Sequence, residues 1–382
     1  MKNISITGGA GFIGQKLVET LLSHDNSVNI KVLDSFHPQI HDRESETRFR
    51  KKFPNVNLKN GNILDINDLD WLISESDIFI HLASETGTGQ SMYNIVNYTN
   101  TNITGTSLLL ERLLESGKKI KHFILSSSRS IYGEGAYLSA NNQPVSKNLK
   151  RKIEDMKVGK FDIYCPKTGN AMKSIATNED CIPNPLSFYA ATKLFQEQQI
   201  NLYKEKLFFK TTIFRFQNVY GEGQSLNNPY TGLLAVFFNL ANSGKNLNVF
   251  EDGNESRDFI HVDDVVRTLK ISMLSENNLW NGVFNLGTGK QTSIIDVANN
   301  VVEFFNNDIS INISGDFRIG DIRHNFADTT KIESLGIKTN DFISFNEGYK
   351  RFLNWAKENG STSFNIDEAT SIMKDSGMYH EN

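Results

Sequence analysis

Residues 7–14, TGGAGFIG, leave the chain few ways to fold. A short apolar run, ISIT (4–7), leads into them, and a segment of 3.6-residue periodicity, FIGQKLVETLLS (12–23), leads out. A buried strand that turns on glycine straight into a helix is the opening unit of an open α/β domain. The alternation continues: VNIKVLD (28–34), VNLKNG (56–61), DIFIHLA (77–83), HFILSSS (122–128) and TTIFRF (211–216) read as further buried strands. Helical segments such as TGTSLLLERLLES (104–116) separate them. Apolar strands spaced by helices predict a parallel sheet covered on both faces, the doubly wound Rossmann-type α/β class.

In that setting the glycines acquire a task. Gly8, Gly11 and Gly14 have the spacing that turns the chain tightly, brings backbone N–H groups up to a pyrophosphate and packs helix on strand, with Phe12 and Ile13 opening the helix. Asp34 stands at the tip of the second strand, twenty residues past Gly14. A carboxylate there accepts the ribose hydroxyls of NAD and repels the extra phosphate of NADP, so NAD is the expected cofactor.

The 382 residues suffice for two lobes with a sizeable core. Residues 1–220 are expected to form the NAD-binding domain, interrupted by an insertion at 134–182 that lacks apolar periodicity. Residues 221–350 are expected to form a smaller α/β substrate-binding lobe, some segments returning to the first domain, and 360–382 a loosely attached polar tail. A formal charge of −4 gives no reason to expect nucleic acid or an anionic membrane surface as partner. The insertion's Lys147, Lys150, Arg151, Lys152, Lys157 and Lys160 read as a solvated face. Two cysteines fit a reducing compartment, no apolar window reaches membrane-spanning length, and a strand at the very start leaves no room for a signal peptide. The expected location is the cytoplasm.

SFYAATK (187–193) places Tyr189 four residues before Lys193, so on a helix the two share one face. A free phenol, with a pKa of roughly 10, is a poor base at neutral pH. A cation about 4 Å away, at an effective dielectric near 20, is worth roughly 4 kcal/mol, or about three pKa units, which makes the phenol a usable proton shuttle. Lys193 is also placed to hold the nicotinamide ribose.

With SSSRSIYG (126–133) just upstream, these features resemble the extended short-chain dehydrogenase/reductases, and among them the NAD-dependent nucleotide-sugar epimerases and dehydratases, over about residues 1–350. The resemblance implies that Ser128 works with Tyr189 and Lys193 on the 4-hydroxyl of a sugar, and that Ser126 belongs to the cofactor site. It also places Asn62 and Ile63 of GNI beside the adenine, Leu82, Ala83 and Ser84 of HLAS in the cofactor cleft, and Asn102 as a pin for the fourth-strand region. In the family's 4,6-dehydratases an Asp–Glu pair follows the Ser/Thr, and decarboxylases keep the Glu. Arg129 and Ser130 stand there in this chain, which leaves 4-epimerisation, an isomerase reaction of carbohydrate biosynthesis through a transient 4-keto sugar. A 4-keto reductase or dehydrogenase, and a non-catalytic NAD-binding sensor, remain as alternatives.

The same resemblance implies a nucleotide-diphosphate sugar partner. RFQNVYGEGQSLNNPYTG (215–232) supplies Asn218 for the sugar diphosphate and Asn227 or Asn228 for the base. Thr86 and Arg129 are expected at the sugar, Arg257 and Arg318 as guanidinium forks on the diphosphate, and Phe250 facing the base. SETGTGQSMY (84–93) and the 215–232 loop resemble the subgroup acting on dTDP-L-rhamnose to give dTDP-6-deoxy-L-talose. That subgroup's paired Cys–Pro–x–Cys motif is reduced here to CPKTG (165–169), with Thr168 in the second position, so no thiolate metal site is expected. His37 and His41, in a proline-containing loop, are expected to be solvent-exposed. Helices at roughly 92–116 and 187–207 are expected to pair in a homodimer.

Overall fold

The computed structural model describes residues 2–228, 232–275, 277–305, 309–360 and 366–381. The five strands read first from sequence are β1 (Asn3–Thr7), β2 (Asn29–Asp34), β3 (Asn57–Asn60), β4 (Ile78–His81) and β5 (Ile120–Ser128). With Phe208–Phe216 and Gly282–Leu286 they make a seven-stranded sheet in the order Gly282–Leu286, Phe208–Phe216, β5, β4, β1, β2, β3, every neighbouring pair parallel. The strand order reverses between β1 and β4, where Ile4 is in register with both Ile30 and Ile78. A crevice opens past the carboxyl ends of the strands at such a switch point.

Both faces of the sheet are dry, which is why its strands are apolar runs. On one face Ile4, Ile6, Val32 and Ile80 pack against Leu17, Val18 and Leu21 of the first helix and Val265 and Leu269 of helix Val262–Leu274. On the other, Phe79, Phe123 and Leu125 meet Leu69, Leu72, Leu109, Leu113 and Ile200. A separate core built on Phe237, Phe238, Val249, Val297, Val301 and Phe352 forms the smaller lobe.

Two expectations are corrected, the exposure of Arg151 and the loose attachment of the tail. The insertion is an ordered lobe: Ala136–Leu138 pairs antiparallel with Pro144–Val145 and with Lys173–Ile175. Its Arg151 is buried and ion-paired to Glu134 and Glu251, while Lys147, Lys150, Lys152, Lys157 and Lys160 are exposed. The helix expected at roughly 92–116 runs from Ile95 to Ser116, with a π-helical stretch, Thr99–Thr104, within it. The wide turn coincides with Asn102, whose fully buried amide bonds the loop after β4, as the resemblance implied. The tail, finally, is docked: Ile366–Asp375 is helical and Tyr379–His380 pairs with Phe317–Arg318.

Candidate active site

Gly8 makes the turn after β1. Its φ of +69° belongs to the left-handed region, and a Cβ there would lie 2.7 Å from the Ala83 nitrogen. Gly14 lets the first helix sit on the turn, since a Cβ would come within 2.6 Å of the Gly8 carbonyl oxygen. Gly11 begins that helix with no side-chain cap. The backbone donors of its first turn are therefore left for a ligand. Gly8, Gly11, Phe12, Ile13 and Gly14 all line a cleft of about 400 Å³. A cradle that tolerates no side chain, with free donors above it, fits a dinucleotide pyrophosphate.

Asp34 is buried at the edge of this turn. One carboxylate oxygen accepts from the Ala10 N–H at 2.9 Å; the other accepts from the Phe36 N–H at 3.0 Å. The imidazole of His41 lies 3.5 Å from the latter oxygen and against the Phe36 ring, so His41 is not the solvent-exposed residue expected; His37 is exposed. Leu82 and Ser84 line the cleft, while Ala83 packs under Gly8 and donates its N–H to Thr7. Asn102 ties the Ser84 hydroxyl and the Glu85 backbone to Thr192 of helix Phe188–Leu207, so it acts on the cleft wall from behind. Asn62 and Ile63 do not line the cleft: Ile63 is core against Gly105, and Asn62, exposed, bonds Leu64 and Asp68.

The helix bearing the tyrosine is started by Ser187, whose hydroxyl accepts from the Ala190 N–H at 3.2 Å. Tyr189 and Lys193 then face the cleft together with Ser126, Ser127 and Ser128 from the end of β5. The Ser128 hydroxyl is close enough to the Tyr189 phenol to favour its ionised form. Ser128 in turn accepts from the hydroxyl of Ser130 at 2.9 Å, which fixes its orientation.

The electrostatics differ from the expectation. Burial pushes the Tyr189 phenol up; the Ser128 hydroxyl and the Arg129 guanidinium pull it the other way. Lys193 is itself pushed down to about 7 by burial and donates to the Ser126 carbonyl at 2.9 Å. The cation bearing on the phenol is thus Arg129. Burial brings Arg129 to about 9, helped by the nearby Arg257, and its Nη1 has no hydrogen-bond partner among the described residues. No sequence pattern announces this, because it depends on how Arg129 is buried and on where Arg257, Asp321 and Glu134 stand around it.

Across the cleft, Thr86 and Asn218 are in the lining as expected. So are Gln217 and Gln224, which the sequence reading missed although they flank Asn218 in the same loop. The side-chain carbonyl oxygens of all three amides are buried without a partner among the described residues. Asn228 is buried and accepts from Gln39, whereas Asn227 is exposed; neither lines the cleft, and Pro229, Tyr230 and Thr231 of that loop lie outside the described residues. Arg257 spends one Nη on the Ser256 and Arg323 carbonyls and makes no ion pair among the described residues. Arg318 is paired with Asp321 at 2.8 Å and lies 5.0 Å over the Phe250 ring. Both guanidiniums therefore gather near Asp321, whose carboxyl they hold down against the effect of burial.

A glycine-cradled dinucleotide site joined to a Ser–Tyr–Lys set at the switch point of a doubly wound sheet defines the extended Rossmann enzymes. Comparison narrows this. A family model described as NAD dependent epimerase/dehydratase family matches residues 4–153 and 163–287, and the chain belongs to that family. The dTDP-L-rhamnose 4-epimerase of Burkholderia thailandensis is 34% identical over 341 residues, 88% of this chain and 90% of that protein. A putative UDP-glucose 4-epimerase of Methanocaldococcus jannaschii is 28% identical over 94% of this chain and 100% of its own length. Among solved structures, UDP-glucuronic acid 4-epimerase from Bacillus cereus, in complex with UDP-glucuronic acid and NAD, matches with a TM-score of 0.75 at 25% identity. UDP-glucose 4-epimerase from Thermotoga maritima, with UDP-glucose, matches with a TM-score of 0.72 at 26% identity; each alignment covers 94% of this chain and 100% of the other. The protein is an NAD-dependent nucleotide-sugar epimerase-family enzyme, and its cofactor is NAD.

Proposed function

We propose that the enzyme is a nucleotide-sugar 4-epimerase working through a transient 4-keto sugar, with dTDP-L-rhamnose and dTDP-6-deoxy-L-talose as its substrate pair. One observation carries the reaction type: the cleft that holds Ser128, Tyr189 and Lys193 is lined by hydroxyls, amides and apolar groups, with no carboxylate among its described residues. Eliminating water or losing CO₂ needs a further acid or base beside the sugar. Reversible oxidation at C4 needs only the groups present.

Bound NAD supplies the hydride acceptor and, on return, the hydride donor. Tyr189 takes the proton of the 4-hydroxyl as that carbon is oxidised and returns it to the oxygen when the hydride is given back to the other face. Ser128 aligns the 4-oxygen with the phenol, and Arg129 favours the phenolate. Lys193, fixed on the Ser126 carbonyl, is placed to hold the nicotinamide ribose. Asn218, Gln217 and Gln224 offer acceptors to sugar hydroxyls, and Arg257 and Arg318 serve the diphosphate. The substrate pair is supported by the Burkholderia relative.

The assembly we infer is a cytoplasmic homodimer built on helix Phe188–Leu207, where Phe195, Leu202 and Tyr203 are exposed, and on the segment Ile95–Tyr98 that packs on it, where Ile95 and Val96 are exposed. Purified protein should run as a dimer by light scattering and carry NAD. In a panel of dTDP- and UDP-sugars followed by NMR it should interconvert the rhamnosyl and talosyl nucleotides with no net absorbance change at ~340 nm, as expected for a reaction with no net redox change. Stoichiometric NADH would replace this reading with a dehydrogenase, and turnover confined to UDP-sugars would remove the substrate assignment.

A further inference from the structure

The C-terminal residues pack on Phe250 and on the segment that carries Arg318, both assigned to the substrate nucleotide in the proposed function. In the two-residue strand pair, Tyr379 lies opposite Arg318 and His380 opposite Phe317, and the Ile319 N–H donates to the Met378 carbonyl at 3.0 Å. The Tyr379 hydroxyl donates to the Asp316 carboxylate. Its ring meets Phe250 edge-on, with 5.5 Å between centroids, while the Arg318 guanidinium covers the same phenylalanine.

The contact is anchored on both sides. His380 stacks on Phe317 at 4.9 Å, and Phe317 is fully buried against Met156 and Phe161 of the insertion. Met373 is buried, and its sulfur sits 3.3 Å from where a Cβ on Gly89 would stand, so the C-terminal helix also reaches the nucleotide-binding lobe. The insertion and the C-terminal segment thus grip one stretch, 316–321, from opposite sides. A two-residue strand holds little by itself. Without Tyr379, Phe250 would lose its edge contact and Arg318 its strand partner, leaving Arg318 its pair with Asp321, and ordering them would then oppose ligand binding.

We propose that the C-terminal strand positions the nucleotide end of the site, Tyr379 holding Phe250 and Arg318 in the arrangement that receives the nucleoside diphosphate of the substrate. This rests on the nucleotide-sugar reading above. Tyr379 is a positioning residue, acting through its two neighbours.

The test uses the NAD-loaded full chain, titrated with free dTDP and free UDP by calorimetry, with KM, kcat and NAD content measured alongside. Tyr379→Ala is expected to weaken the tighter nucleotide by about tenfold or more and to raise KM by a similar factor, with a much smaller change in kcat. NAD content should stay at the wild-type level. Tyr379→Phe, which keeps the ring against Phe250 and loses the bond to Asp316, should recover most of the affinity, and a chain ending at Gly360 should behave like Tyr379→Ala or worse. Nucleotide affinity and KM within about twofold of wild type in Tyr379→Ala would overturn the proposal. So would a loss of NAD and kcat at unchanged KM, which would give the segment a purely structural role. Wild-type protein that binds neither nucleotide would bring down the nucleotide reading and this proposal together, a result distinct from tight binding that Tyr379→Ala leaves untouched.

Discussion

The proposed reaction asks the phenol at position 189 to give up its proton where burial disfavours the charge. Ser128 and Arg129 work against that penalty, one through its hydroxyl and the other through its positive charge. A proton acceptor so placed is worth about 10²–10⁴ in rate. Tyr189→Phe keeps the ring and its edge contact with Tyr98, 6.5 Å between centroids, and removes only the acceptor. Turnover by NMR should fall by at least that factor, while cofactor released on denaturation stays stoichiometric. A Tyr189→Phe variant turning over within about tenfold of wild type would show that another group takes the proton. Ser128, Tyr189 and Lys193 could be found in the sequence because their spacing from a strand end and along one helix face is fixed. The role of Arg129 could not, since it follows from how the surrounding carboxylates are placed in three dimensions.

The strand–turn–helix unit does more than cradle phosphates. Asp34 reaches from the end of β2 back to the Ala10 N–H, so the residue meant for the ribose also braces the glycine turn. Asp34→Ala should therefore loosen both contacts, raising the Kd for NAD by about tenfold or more and narrowing the preference over NADP. Asp34→Asn keeps an acceptor for Ala10 and removes the charge, so it should retain more NAD affinity than Asp34→Ala while still losing discrimination. Fluorescence titration with both cofactors checks this; unchanged discrimination in both variants would remove Asp34 from the ribose site. The sheet was legible because strands buried on both faces must be apolar runs, as in ISIT and HFILSSS. The insertion was not, because Pro144–Val145 and Lys173–Ile175 are too short to carry a period. The π-helical turn at Thr99–Thr104 was hidden for another reason: it coincides with the tertiary bonding of one asparagine, Asn102.

Across the whole molecule, the insertion and the smaller lobe are joined by charge as much as by apolar contact. Arg151, on the insertion, is buried with its guanidinium on Glu134 at 2.9 Å and on Glu251 at 2.6 Å. Arg323 continues the chain to Glu251, Asp252 and Asp162. The network adjoins Phe250 and the Arg318 segment, since Glu251 follows Phe250 in the chain and Arg151 also donates to the Asp321 carbonyl. Removing one partner of a buried pair costs about 3–5 kcal/mol, mostly because the charge left behind has lost its compensation. Arg151→Met should lower the unfolding free energy by about that amount in denaturant titrations. Burial already pushes the Glu251 carboxyl up against the pull of Arg151 and Arg323. In the variant it should rise further, so the folded protein binds a proton the unfolded chain has released. Stability should then fall as pH rises from the ordinary carboxylate range through the raised value. Adding Glu251→Gln to Arg151→Met removes that titration, and the double variant should be less pH-sensitive and more stable than Arg151→Met alone. If Arg151→Met instead unfolds within about 1 kcal/mol of wild type, as a solvated surface arginine would, the buried charges are not what fastens the inserted lobe.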